Sequence, residues 1–207
     1  MKDTYSIFVE GIADERLISQ LIEVTFGCKC EKGRIIATNG WKALVSPTTE
    51  KTYINQMRYT TDNGGTNLVI FDADKDFEIR QEELLAWKKK NDLSFELFLL
   101  PNNHDGGELE DLLVKIINTE NQPVLNCWKK YEDSLATVDI PWRKGEPLTI
   151  PAKKTKIYAY LEALLGESRK QKELIKENKR DYKNANHWNL QSEGILALVD
   201  FLKNNLV

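Results

Sequence analysis

The chain has 207 residues, 41% hydrophobic and 29% charged, with 11 Gly and 6 Pro; this is ordinary globular usage and excludes collagen-like, low-complexity and fully disordered chains. Its 29 Lys and Arg against 32 Asp and Glu leave a net charge of −3, so the chain lacks the overall basic excess of a nucleic-acid-binding domain, although a local basic groove stays open. Three cysteines, Cys28-x-Cys30 and a distant Cys127, fit neither a disulfide framework nor a zinc site and point to reduced thiols in a cytoplasmic protein.

No apolar run reaches the roughly 18 residues a membrane helix needs, and the polar opening Met1-Lys2-Asp3-Thr4 does not read as a signal peptide. Residues 5–9 (YSIFV) are short, apolar and rich in strand formers, as a buried parallel strand is, and they stop at Glu10-Gly11. Over residues 13–26, Leu17, Ile18, Leu21, Ile22 and Phe26 recur at helical spacing, with Gly27 as a natural C-cap. Residues 34–37 predict a second strand ending at Asn39-Gly40, and residues 47–59 a helix with Tyr53, Ile54 and Met57 on one face. After the turn Asp62-Asn63-Gly64-Gly65 comes NLVIF, residues 67–71, the most strand-like stretch, which runs into Asp72-Ala73-Asp74. Residues 78–90 predict a helix, 95–100 a strand closed by Pro101, and 109–117 a helix after a His104-Asp105-Gly106-Gly107 loop.

Strands alternating with helices argue for an α/β fold with a mostly parallel, four-stranded sheet flanked by helices. Past Asn118 the texture changes to helices over 124–135, 156–165 and 190–206, with a turn-rich stretch at 139–147 and a mixed-charge, solvated stretch at 169–183. The expected organisation is a core over residues 1–118 and a helical C-terminal extension over 119–207 packed on it.

Carboxylates recur where strands end. Glu10 follows the first strand, Asp14 lies one helical turn on, Asp72 and Asp74 alternate after the third strand, and Glu110 and Asp111 open the helix after the fourth. In open parallel sheets the ligand crevice lies outside the carboxyl ends of the strands. Acids converging there repel one another, and a hard divalent cation with a preference for oxygen ligands relieves that repulsion. Two such ions about 4 Å apart stabilise the attacking and leaving oxygens of phosphoryl transfer. Singly, Asp14, Glu110 and Asp111 also suit the positive end of a helix.

The motifs Val9-Glu10-Gly11 with Asp14, Val69-Ile70-Phe71-Asp72-Ala73-Asp74, and Leu100-Pro101 leading to Gly107-Glu108-Leu109-Glu110-Asp111 resemble those of the Toprim superfamily. The pattern is similar to the nucleases named for overcoming lysogenization defect and to an uncharacterised bacterial Toprim-like family, over about the first 118 residues. The resemblance implies a Rossmann-like Toprim core and Mg²⁺- or Mn²⁺-dependent phosphodiester cleavage or phosphoryl transfer, with DNA or RNA as possible partner. It implies that Glu10 handles a metal or a proton, that Asp72 and Asp74 hold Mg²⁺, and that Asp14 and Glu110 complete a second metal site. It also implies a downstream lysine, for which Lys154 and Lys156 are the candidates. Two departures stand out: Asn39-Gly40-Trp41 replaces the usual Gly-Gly pair, and no ATPase motif is present. A non-catalytic module that binds metal or nucleotide and works through a protein partner, for instance in phage defence, is the alternative.

Rival motifs fit less well. An EF-hand reading of Asp72 to Glu83 meets Phe77 where the loop needs Gly, and a strand where it needs a helix. An aspartyl phosphatase reading, with Asp72 as nucleophile, expects the motif on the chain's first strand. His104 and His187, the two histidines, lack metal-ligand partners at helical spacing. The lysines at 153, 154 and 156 with Tyr158 and Tyr160 suit a phosphate backbone or a solvated helix start. The five tryptophans read as core or interface anchors.

Overall fold

All five residues of β1 (Tyr5–Val9) are buried, as are residues 67–71 of β3 (Thr66–Asp72). A strand covered on both faces has no polar side to alternate with, which is why these segments are apolar apart from the buried, hydrogen-bonded Ser6 and Asn67. With β2 (Ile35–Ala37) and β4 (Glu96–Leu100) they form a four-stranded, all-parallel sheet in the order β2-β1-β3-β4. The register sets Val9 beside Ala37 and Ile70, and Asp72 beside Leu100. These are features of a computed structural model that describes residue 2 and residues 4–207.

The connections between strands are helical. α1 (Ile12–Phe26) joins β1 to β2 and closes on Gly27 in the left-handed region, whose N–H donates to the Glu23 carbonyl at 3.0 Å. A single turn, α2 (Trp41–Leu44), and then α3 (Glu50–Asp62) carry the chain to β3. α4 (Phe77–Lys90) starts on Asp76, whose carboxylate accepts from the Ile79 N–H at 3.1 Å, and ends in Lys88, Lys89 and Lys90 at the negative end of its dipole. α5 (Leu109–Lys115) follows β4.

Two compact units result: Met1–Ile116 with Leu190–Val207, and Ile117–Asn189. The second holds α6 (Gln122–Leu135), α7 (Lys153–Leu165) and α8 (Arg169–Ile175). The first includes α9 (Glu193–Leu206), whose Ile195, Leu198, Val199, Leu202 and Leu206 form a buried stripe at helical spacing.

Both faces of the sheet are covered. Phe8, Val69, Phe71 and Leu99 pack with Met57 of α3 and with Leu84 and Trp87 of α4. Strand alternation sends Ile7, Val9, Leu68, Ile70 and Phe98 the other way, all buried. There α9 crosses β3 and β4, bringing the Phe201 ring to 5.2 Å from Phe98, and α1 touches α9. Each such large apolar side chain contributes about 1.5–3 kcal/mol by leaving water.

In the second unit Trp188 packs on Tyr160 and Tyr182, with ring centroids 5.6 and 5.2 Å away. The Tyr160 hydroxyl donates to the His187 carbonyl at 2.7 Å. The mixed-charge stretch at 169–183 is mostly exposed, as expected of a solvated face, but Ile175, Arg180 and Tyr182 are buried within it, and the Arg180 guanidinium lies 4.9 Å from the Tyr158 ring centre. A cation spread over a planar guanidinium can leave water against an aromatic face, which charge counting along the sequence cannot show. Among the described residues no helix is long and apolar enough to cross a membrane. Cys28, Cys30 and Cys127 are free.

Candidate functional site

The strand order reverses between β1 and β3: α1 leads from β1 outward to β2, and α3 returns past β1 to β3, touching both. Parallel sheets open a crevice at such a reversal, outside the carboxyl ends of the two strands. Glu10 is the first residue beyond β1 and Asp72 the last of β3, so both stand at its mouth. The Asp72 N–H donates to Glu10 Oε1 at 3.3 Å, and Asp72 Oδ1 accepts from the Leu109 N–H at 2.9 Å. The ends of β1 and β3 and the start of α5 are thereby tied together through two carboxylates.

Asp14 enters from α1. One oxygen accepts from the Gly11 N–H at 2.9 Å, in a capping box. The other, Oδ1, is buried with no hydrogen-bond partner, and the residue is 6% exposed. Asp14 is therefore more than a helix-capping acid on the surface. Its counterpart in α5 is Asp111, which accepts from the Glu108 N–H at 2.9 Å, leaving the preceding Glu110 half-buried beside the other acids.

The acids are close enough to raise one another's hold on protons. Burial first, then the charges of Asp14 and Glu10, push Asp72 up to about 9, against the opposing hydrogen bond from Leu109. Burial, with help from Glu10 and Glu110, lifts Asp14 to about 7. Burial and then Asp74 raise Glu10, while the bond from the Asp72 N–H and the Arg80 charge pull it back. Without a cation, the crevice reduces its own charge by holding protons.

Asp74 behaves differently from Asp72. The extended run stops short of it: the Ala73 N–H still donates to the Leu100 carbonyl at 3.1 Å, but Asp74 turns to φ 54° and bridges to Gly107. Its carboxylate meets the Arg80 guanidinium, which also binds Glu83 at 3.0 Å. Gly107 has φ 151°, and a Cβ there would lie 2.7 Å from Asp111 Oδ2 and 2.9 Å from Pro101 Cδ, so only glycine fits.

The loop after β2 closes the other side. Asn39 and Gly40 both take positive φ, 64° and 94°, and the Gly40 N–H donates to the Glu10 carbonyl at 3.0 Å. A Cβ on Gly40 would stand 3.7 Å from Glu10 Oε2, so the backbone passes close to that carboxylate. Asn tolerates the left-handed region, so Asn-Gly supplies both positions.

Lys154 lies on α7 in the second unit, where its Nζ is 2.5 Å from Glu177; Lys156 pairs with Glu132 at 3.2 Å. His104 is exposed, with Nδ1 2.9 Å from Asp105. The strand before Asp72 excludes an EF-hand. Sequence reasoning passes over Arg80 at this site; its signal is an arginine six residues after Asp74, in the first turns of a helix capped by Asp76.

All the oxygens at the crevice suit a hard cation, and the partnerless Asp14 Oδ1 is an acceptor that a cation would satisfy. Among the described residues no three His, Cys, Asp or Glu side chains stand ready to hold a metal ion. Like charges spread apart, and Asp74 is turned toward Arg80. Comparison with curated proteins and with solved structures returns no match. Over residues 4–206 the sequence matches a family described as protein of unknown function (DUF3226), and the chain belongs to that family.

Proposed function

We propose that the crevice between β1 and β3 binds Mg²⁺ or Mn²⁺ through Glu10, Asp14, Asp72, Asp74 and Glu110 and cleaves a phosphodiester, or transfers a phosphoryl group, in the manner of the Toprim enzymes. The observation that carries this reading is the buried, partnerless Asp14 Oδ1 beside Glu10, Asp72 and Glu110 at the reversal of strand order. Four carboxylates in one poorly hydrated place cost stability unless a cation or protons offset them.

A bound divalent ion would supply positive charge that steadies the phosphoryl oxygens and acidifies water. In hydrolysis the water oxygen bonds to phosphorus, the bond to the leaving oxygen breaks, and the proton of the water ends on that oxygen. Glu10, with its raised proton affinity, suits the transfer of that proton. The Leu109 N–H holds Asp72 in place, and the Gly11 N–H holds Asp14. The Glu10 side chain sits between the Asp72 N–H and the Gly40 backbone, which restrict its rotation.

The test is turnover of DNA, RNA and nucleotides in Mg²⁺ or Mn²⁺, beside Glu10→Gln and Asp72→Asn. Cleavage by wild type and loss of at least a hundredfold in each variant is expected. Equal inertness of all three on a broad panel refutes the enzymatic reading. The net charge of −3, without the basic excess of a nucleic-acid-binding domain, favours one alternative, a module that binds cation or nucleotide without turnover and acts through a protein partner.

A further inference from the structure

Arg80 is a cation at this crevice, close enough for its charge to act on Glu10, that the carboxylate reading leaves without a task. Its side chain is 13% exposed, it meets Asp74 with one terminal nitrogen and Glu83 with the other, and its guanidinium stands 5.6 Å from the Trp41 ring centre. Its Nε is buried with no hydrogen-bond partner. The group lines a cavity of about 370 Å³ with Asp74, Lys75 and Ile79. Asp74 is half exposed and opposes the attraction of any divalent ion by already holding a cation.

We propose that Arg80 is the residue that binds the substrate phosphate: it holds Asp74 while the site lacks a divalent ion, and passes to a phosphoryl oxygen when Asp74 turns to that ion. This rests on the carboxylate reading of the same crevice. A guanidinium fork matches carboxylate and phosphate alike, so one group can serve both in turn. Trp41 and Glu83 keep it oriented after Asp74 leaves. The exchange is noncovalent and conserves charge, since a cation replaces a cation on Asp74 and an anion replaces an anion on Arg80.

A purely structural arginine and a phosphate-binding one respond differently. Removing the guanidinium frees Asp74 for a divalent ion but takes away the phosphate contact, so the two affinities move in opposite directions. The experiment titrates Mg²⁺ into wild type, Arg80→Gln and Arg80→Lys by calorimetry, then measures how inorganic phosphate shifts the melting temperature of each Mg²⁺-loaded protein. Arg80→Gln should bind Mg²⁺ roughly three- to tenfold more tightly and lose the phosphate shift. Arg80→Lys, which keeps the charge without the fork, should retain wild-type Mg²⁺ affinity and only part of the phosphate shift. Wild type that takes Mg²⁺, with unchanged or weaker binding in folded Arg80→Gln or an intact phosphate shift, overturns the role of Arg80 alone. Wild type that takes no Mg²⁺ overturns the carboxylate reading and this inference together.

Discussion

Asp72→Asn should stabilise the cation-free protein, and more so as the pH rises. The carboxyl is lifted from 3.8 to about 9, so at pH 8 the folded chain still holds a proton that the unfolded chain has lost. A carboxyl whose folded affinity for protons is raised makes stability fall as pH climbs, here from about 4 to about 9. At about 1.4 kcal/mol per pH unit, the three units from pH 5 to pH 8 remove about 4 kcal/mol at most. Water entering the crevice and neighbouring acids that take up protons reduce this to about 2 kcal/mol, still a large part of a domain's stability. Asparagine keeps the oxygen that accepts from Leu109 and has no proton to lose. Urea unfolding in EDTA at pH 5 and pH 8 is the assay: the gap between variant and wild type should widen by about 2–4 kcal/mol at the higher pH. A gap equal at both values, or narrower at pH 8, refutes the reasoning. Added Mg²⁺ should reverse the ranking at pH 8, because a ligand that binds only the folded wild type stabilises it.

The affinity of wild type for Mg²⁺ should itself rise between pH 6 and pH 8, since the ion displaces protons from Asp14 and Asp72; calorimetry in buffers of different ionisation enthalpy measures their release. Gly107→Ala should cost about 2 kcal/mol and weaken Mg²⁺ binding, because the added Cβ strikes Asp111 and Pro101 next to the Leu109 N–H that holds Asp72; denaturant melts and titration check both effects. Leu99→Ala, deep under α3 and α4, should cost about 3 kcal/mol with no change in ion affinity per folded molecule.

The strands are legible in the sequence because burial on both faces writes itself as mostly apolar runs, as in YSIFV and NLVIF, where only Ser6 and Asn67 are polar and both are hydrogen-bonded. α1 is legible because a local capping group, Gly27, marks its end, and α4 spans Phe77–Lys90, within one residue of the expected 78–90. α2 is a single turn, too short for any periodicity to register, and α3 runs on through Asp62, which the local Asp-Asn-Gly-Gly composition marks as turn. The site acids are legible as residues at strand ends and helix starts, but Arg80 is not, because its tie to Asp74 depends on how α4 leaves β3.

Element type, the acids at strand ends and the all-oxygen donor set are properties of local sequence, and the chain alone determines them. The strand order β2-β1-β3-β4 is decided by pairing between segments tens of residues apart, and only it makes Glu10 and Asp72 neighbours. Tertiary packing likewise buries Asp14 without a partner for one oxygen and turns Asp74 onto Arg80. Burial and long-range charge, which set proton affinity and cation preference, come from the surroundings that the fold assembles around each residue.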